Sequence, residues 1–364
     1  MPTDLLNQSD SPLQAEDTRP ATFFKQAYQT FQKAEHLARG SVHRFYTIGG
    51  YTVHLRFAGP ALIPYITPAL EHLATESVSV PALTVCLWDS VSTNTELPPP
   101  PWSLAGDITR GETHGYIVMN TNHVHTIFEL EAGTLCLLDT RLNLAIFWVY
   151  DFRQLPYYYR GAPLRIIMHH WTRNCESQLV HAAAVGTFMG GVLLAGKSGV
   201  GKSTTALACL SSELLYVGDD YVLLNRESPP FVYSLYNSAK LDADHIEKLP
   251  HLLSAVSNSK NLDAEKALIF LHNHYPDKLA LGFPVQAILV PNVTGLPETR
   301  LKKTSPTTSL IALAPSTIFQ LPGARHKVLQ NLSKFVKQVP NYILEVGTDL
   351  SRIPDVILSL LSEG

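Results

Sequence analysis

The stretch Leu179–Leu224, LVHAAAVGTFMGGVLLAGKSGVGKSTTALACLSSELLYVGDDYVLL, decides the reading of this chain. Its centre, GGVLLAG, is an apolar strand that runs into GKSGVGKS, Gly196–Ser203, a full match to G-x-x-x-x-G-K-[ST]. KSTTALACL then continues as a helix, and LLYVG forms a second strand that ends on Asp219 and Asp220. A strand, a glycine-rich turn, a helix and a strand predict an α/β fold, with the turn as a phosphate-binding loop.

The physical reason for the loop composition is local. Glycines let backbone N–H groups turn inward around phosphate oxygens, and the helix that follows points its positive end at the same place. The nucleotide-binding residues are therefore Gly196, Lys197, Ser198, Gly199, Val200, Gly201, Lys202, Ser203 and Thr204. Lys202 is expected on the β- and γ-phosphates and Ser203 on Mg²⁺, so the implied cofactors are a nucleotide, read as ATP, and Mg²⁺. Lys197 and Ser198 occupy variable positions, and Lys197 is expected to be a solvated loop lysine.

Asp219 and Asp220 close a strand at its carboxyl end, where ligands of open α/β sheets bind. Two adjacent carboxylates allow one to hold the metal while the other takes a proton from an incoming hydroxyl, the division a phosphotransferase needs. The alternative is one metal ligand beside one turn residue. His181 is expected to begin a second apolar strand, HAAAVG; taken alone it reads as a structural histidine.

Working outward, residues 1 to about 20 have the composition of a solvated tail. Phe24, Ala27, Tyr28 and Phe31 recur at helical spacing and form one docking stripe. RFYTIGGYTVHLRF reads as a hairpin turning on Gly49-Gly50, followed by a helix from about Leu62 to Leu73 and the strand ALTVCLW. ELPPPPW, Glu96–Trp102, is a loop or hinge, and GYIVMN, VHTIFEL, GTLCLLD and LAIFWVY are strands. The expected division is thus a tail at 1–20, a mainly β (α+β) domain at 21–160 that helps recognise a substrate, and a phosphate-loop domain at 161–364.

Two C-terminal helices are expected to pack on the sheet. One has Val328, Leu329, Leu332, Phe335 and Val336 on a single face; the other has Ile353, Ile357, Leu360 and Leu361, with Asp349 as its N-cap.

The sequence resembles HPr kinase/phosphorylase, and more broadly the HPr-kinase-like proteins of bacterial peptide natural-product clusters, in VHAAAVG, GGVLLAGKSGVGKSTTALACL and YVGDDYVLL. GKSGVGKSTT and VGDD are also similar to ATP-dependent phosphoenolpyruvate carboxykinase. The motif match covers residues 179–224, with weaker similarity in LAPSTIFQLPGA and NYILEVGTDLSRIPDVILSLL. The resemblance implies a serine kinase. Asp219 would be the hydroxyl-activating carboxylate, Asp220 its neighbour in the metal and substrate network, His181 an essential histidine, and Gly196–Ser203 the ATP loop. The bifunctional family carries Glu directly after the loop serine where this chain has Thr204, and its downstream glycine- and arginine-containing signature is not found, so reverse phosphorolysis is not expected.

Other candidates have plainer readings. His272 with His274, His169 with His170, and His123 with His125 are expected in polar loops, since no further metal ligands stand at recognisable spacing. Lys240, Arg325 and Arg165 are cations to inspect near a transferred phosphoryl group, each individually expected at the surface.

A net charge of -3 gives no basic field for nucleic acid or an anionic membrane, and no stretch reaches the roughly 18 apolar residues that span a bilayer. Four scattered cysteines, Cys86, Cys136, Cys175 and Cys209, read as reduced core residues, so a cytoplasmic location is expected. The partners expected are ATP and a peptide or small-protein acceptor, and homo-oligomers are compatible with the resemblance. The other function classes are a nucleotide-dependent binding module and a phosphotransferase for a small organic or amino acid.

Overall fold

Alternating apolar residues on short strands require a partner face, and here two sheets supply it. The computed structural model describes residues 18–101, 115–225, 228–323 and 325–363. Residues 1–17 of the expected tail and Trp102 of the proline-rich segment lie outside the described residues. Glu96 to Pro101 form no regular element, as expected of consecutive prolines.

The first sheet has seven strands in the spatial order 41–48, 51–58, 83–89, 144–149, 134–139, 124–129, 116–120. Strand 83–89 runs parallel to both of its neighbours, 51–58 and 144–149, and the remaining pairs are antiparallel. The hairpin turns where the glycine pair predicts, with Ile48 opposite Tyr51. Gly49 and Gly50 both adopt positive φ, 57° and 86°, which a side chain would resist. The helix Arg19–Leu37 lays Phe24, Ala27 and Phe31 on this sheet, with Phe31 6.1 Å from the buried Trp88 ring. Burying each such aromatic contributes about 2–3 kcal/mol.

The second sheet has nine strands and is mixed. Strand Gly282–Val293 runs through its middle, parallel to Gly190–Leu194 and to Asn341–Val346, while the other pairs are antiparallel. The molecule is thus a mixed α/β structure with two large sheets. One apolar cluster draws from both, from Tyr46 and Phe147 to Leu223 and Tyr236.

Several local expectations are corrected. No continuous helix spans Leu62–Leu73: Pro64 fits the first turn of a short helix, Ile63–Ile66, but Pro68 cannot continue it, and a single 3-10 turn follows at Glu71–Leu73. His181 does not begin a strand. It lies in the joint between strands Ser177–Val180 and Ala183–Thr187. Asp349 does not cap the last helix, Arg352–Ser362, whose N-cap position is Ser351; the Asp349 carboxylate accepts from the Ser351 N–H at 3.1 Å. On helix Arg325–Phe335, Val328, Leu332 and Phe335 are buried but Leu329 is 42% exposed.

His169 and His170 are in no polar loop either, but in the buried helix Arg165–Thr172, where the surrounding apolar residues Ile166, Ile167, Met168 and Trp171 carry them into the core. His123 lies in the loop between two strands, and His125 on strand Val124–Glu129. His272 belongs to the 3-10 turn Leu271–Asn273 and His274 follows it. None of the four cysteines is in a disulfide; Cys86, Cys136 and Cys209 are buried. Among the described residues no helix is long and apolar enough to cross a membrane.

Candidate active site

Sheet topology explains why residues far apart in sequence meet. Strand Ala183–Thr187 lies between Gly190–Leu194 and Leu215–Gly218 and is antiparallel to both, so those two strands end at the edge where the middle one begins. The glycine-rich loop Gly196–Gly201 leaves the first outer strand, Asp219-Asp220 leave the second, and His181 precedes the middle one. All three motifs are brought to a single edge.

The loop has the conformation its glycines allow, with φ of 82° at Gly199 and 99° at Gly201, followed by the helix Lys202–Ala208. The Lys202 ammonium donates to the carbonyl oxygens of Gly196 at 2.7 Å and Lys197 at 3.2 Å, closing the loop on itself. Burial pulls the Lys202 pKa below its ordinary value, with Asp219 and Asp220 opposing the shift. The Lys197 side chain is exposed, as expected.

The two aspartates differ. Asp219 is buried, and neither of its oxygens makes a hydrogen bond of ordinary geometry. Burial and the neighbouring Asp220 raise its pKa, against the Ser203 hydroxyl and the Lys202 charge. Asp220 has the left-handed φ of 69°, which turns its carboxylate the other way. Its Oδ1 lies 3.4 Å from His181 Nε2, and its Oδ2 forms an ion pair with Lys240. Burial works to raise the Asp220 pKa, but Lys240 and His181 hold it well below the usual carboxylate range. The His181 backbone is pinned by donation of its N–H to Thr317 Oγ1 at 3.1 Å, and its ring meets Tyr221 edge to face at 5.5 Å.

A cleft of about 370 Å³ opens over this edge. Ser198, Lys202, Ser203, Asp220, His181 and Lys240 line one side; Tyr116, Glu129, Glu131, Tyr157, Tyr158 and Arg165 line the other. Asp220 thus faces the cleft, while Asp219 lies behind it toward Ser203 and Lys202. Gly196, Lys197 and Val200 do not line the cleft; Gly199, Gly201 and Thr204 do.

Arg165 is a buried cation, not a surface residue. It forms an ion pair with Glu129 and donates to Tyr116 Oη at 3.2 Å. Burial opposes its charge, and Glu129 more than restores it, raising the pKa well above the ordinary value. Arg325 stands at the start of helix Arg325–Phe335, away from the cleft lining.

Arg165 apart, the far wall is what sequence reasoning missed. Tyr157 and Tyr158 sit in YYYRG, which carries no motif, and Glu129 and Glu131 flank an ordinary strand end. Only the density of tyrosines in PYYYRGAPLR, Pro156–Arg165, marks the region.

The residues fit a divalent cation at one place. A buried carboxylate, Asp219, whose oxygens have no hydrogen bond of ordinary geometry, and the neighbouring Ser203 hydroxyl form the hard oxygen donor set that Mg²⁺ prefers, with phosphate oxygens to complete it. Among the described residues no group of three or more His, Cys, Asp or Glu could hold a metal ion.

No protein-family model matches this chain, and no curated protein matches it. Among solved structures it is similar to the Hpr(Ser) kinase/phosphatase from Coxiella burnetii, at 15% identity and a TM-score of 0.29, over 51% of this chain and 99% of that one.

Proposed function

We propose that this chain is an ATP-dependent phosphotransferase that transfers the γ-phosphoryl group to a hydroxyl, in the HPr-kinase-like manner that its motifs resemble. The observation that supports it is the convergence of the glycine-rich loop, both aspartates and His181 at one sheet edge, beside a cleft of about 370 Å³ that Ser203, Asp220 and His181 line. A nucleotide on Gly196–Ser203 presents its terminal phosphate to that cleft, and an acceptor enters against the tyrosine wall. Bound Mg²⁺ would supply charge neutralisation on the β- and γ-phosphates.

The chain's own groups divide the remaining work. Lys202 exchanges its loop carbonyls for phosphate oxygens. Ser203 and Asp219 hold the cation; Asp220, which faces the cleft and is kept ionised by Lys240 and His181, orients the acceptor hydroxyl by accepting its hydrogen bond and takes the proton as the new bond to phosphorus makes that hydroxyl acidic. This reverses the roles that the resemblance assigns to the two aspartates. As the acceptor oxygen bonds to phosphorus, its O–H bond breaks toward Asp220 and the γ-phosphorus bond to the bridging oxygen breaks, releasing ADP. The acceptor proposed is a serine of a peptide or small protein, natural-product precursor peptides included. Residues 21–160 are proposed as its recognition domain and 161–364 as the nucleotide domain.

The test is transfer of label from γ-labelled ATP into a cell extract sorted into protein, peptide and small-molecule fractions. Label in one fraction, strongly reduced with Asp219→Asn and with Asp220→Asn, supports the kinase and names the acceptor class. Free phosphate alone, or ATP binding without turnover, favours a nucleotide-gated binding module.

A further inference from the structure

We infer that Lys240 is a positioning residue of this site: it fixes Asp220, the carboxylate that faces the cleft, in the orientation that receives the acceptor. The inference rests on the phosphotransferase reading above. Asp220 is a non-glycine residue at φ 69°, an uncommon backbone state that aims its side chain into the cleft but does not by itself fix the rotamer. Two groups grip it from different elements, His181 Nε2 on Oδ1 and the Lys240 ammonium on Oδ2.

Lys240 is itself held firmly. It lies on strand Ser238–Leu241, opposite Leu268 of the antiparallel strand Ala267–Phe270. Its stem runs past Gly161, where an added Cβ would stand 3.6 Å from Lys240 Cδ, and Ser238 Oγ donates to the Gly161 carbonyl on the same side. The helix that ends at Gly161, Tyr157–Gly161, carries Tyr157 and Tyr158 of the far cleft wall. One short segment therefore presents the acceptor wall at one end and braces Lys240 at the other.

The neighbouring lysines are committed elsewhere. Lys202 is bonded to loop carbonyls, and Lys266 pairs with Asp242 at 3.0 Å. With side-chain exposures of 18% for Lys240 and 23% for Asp220, this pair is shielded from the solvent that makes surface ion pairs weak.

The experiment measures label transfer into whichever extract fraction the unaltered protein labels, with kcat and the KM for ATP determined for Lys240→Met, Lys240→Arg, Asp220→Asn and Lys240→Met/Asp220→Asn. Lys240→Met is expected to lower kcat roughly 100-fold while leaving the KM for ATP within about twofold, because a misplaced group costs rate without touching the phosphate loop. Lys240→Arg should recover part of that loss, and Lys240→Met should add nothing to Asp220→Asn. Should Lys240→Met unfold, Lys240→Gln carries the same comparison. Undiminished transfer in the neutral variant, a defect confined to the KM for ATP, or losses that multiply in the double variant would overturn the role of Lys240 alone. If the unaltered protein labels no fraction at all, the phosphotransferase reading falls and this role with it.

Discussion

Two buried polar clusters in this molecule have met opposite fates. At the sheet edge, His181, Asp220 and Lys240 lie together beside an open cleft. Between strand Val124–Glu129 and helix Arg165–Thr172, three imidazoles pack together: His125 stacks on His170 at 4.6 Å, and His169 meets His170 at 5.1 Å. Burial, followed by the nearby Arg173 charge, lowers His169 to about 3 and His125 to about 4, while burial and His169 push His170 well below its ordinary value. The void lined by His125 and His170 has no room for a water molecule. Histidines without an acidic partner are thus kept neutral as packing, whereas His181 faces a carboxylate at the candidate site. Counter-charge, more than burial, separates the two.

Function breaks the comparison most sharply. Asp219→Asn is expected to reduce phosphoryl transfer by roughly 10³-fold while the fold persists, read from labelled product against thermal unfolding. Retained transfer would make Asp219 a packing residue like the core histidines.

Next in size is the one strong charge pair on the cleft's far wall. Glu129→Ala leaves the Arg165 guanidinium buried without its carboxylate and is expected to destabilise the protein by about 3–5 kcal/mol in urea unfolding. A loss under about 1 kcal/mol would show that water reaches Arg165.

The histidine cluster sets a pH dependence. Its folded pKa values lie below the unfolded value, so its contribution is fully present above about pH 6.5 and is lost as pH falls toward the folded values. At pH 5.5 each neutral histidine costs about 1.4 kcal/mol relative to neutral pH. Chemical unfolding at pH 7.5 and 5.5 measures this, and His125→Asn should flatten the difference by one histidine's share. An unchanged difference would mean that His125 titrates alike in both states.

The smallest effect expected is at Leu329, exposed on its helix despite lying in the apolar pattern. Leu329→Lys should change stability by no more than about 0.5 kcal/mol, where Leu332→Ala, on the buried face, costs about 2–5 kcal/mol.

Much of this was legible in the chain itself. The glycine-rich turn, its flanking strand and helix, the Gly49-Gly50 hairpin and the strands of the first sheet all follow from local chemistry: glycine freedom, residue alternation and proline breaks act within a few residues. The same chemistry ends the helix before Pro68, whose ring and missing N–H cannot continue it. Tertiary structure alone decided which distant groups meet. Nothing near NSAKLD tells Lys240 that it will face Asp220, and nothing in HHW distinguishes a buried histidine pair from a loop. Those pairings depend on strand order: the joint that enters a strand antiparallel to both neighbours brings His181 to the aspartates, and a separate two-stranded sheet carries Lys240 to them. Contact across a sheet is long-range in sequence, and long-range contact is what local propensity does not encode.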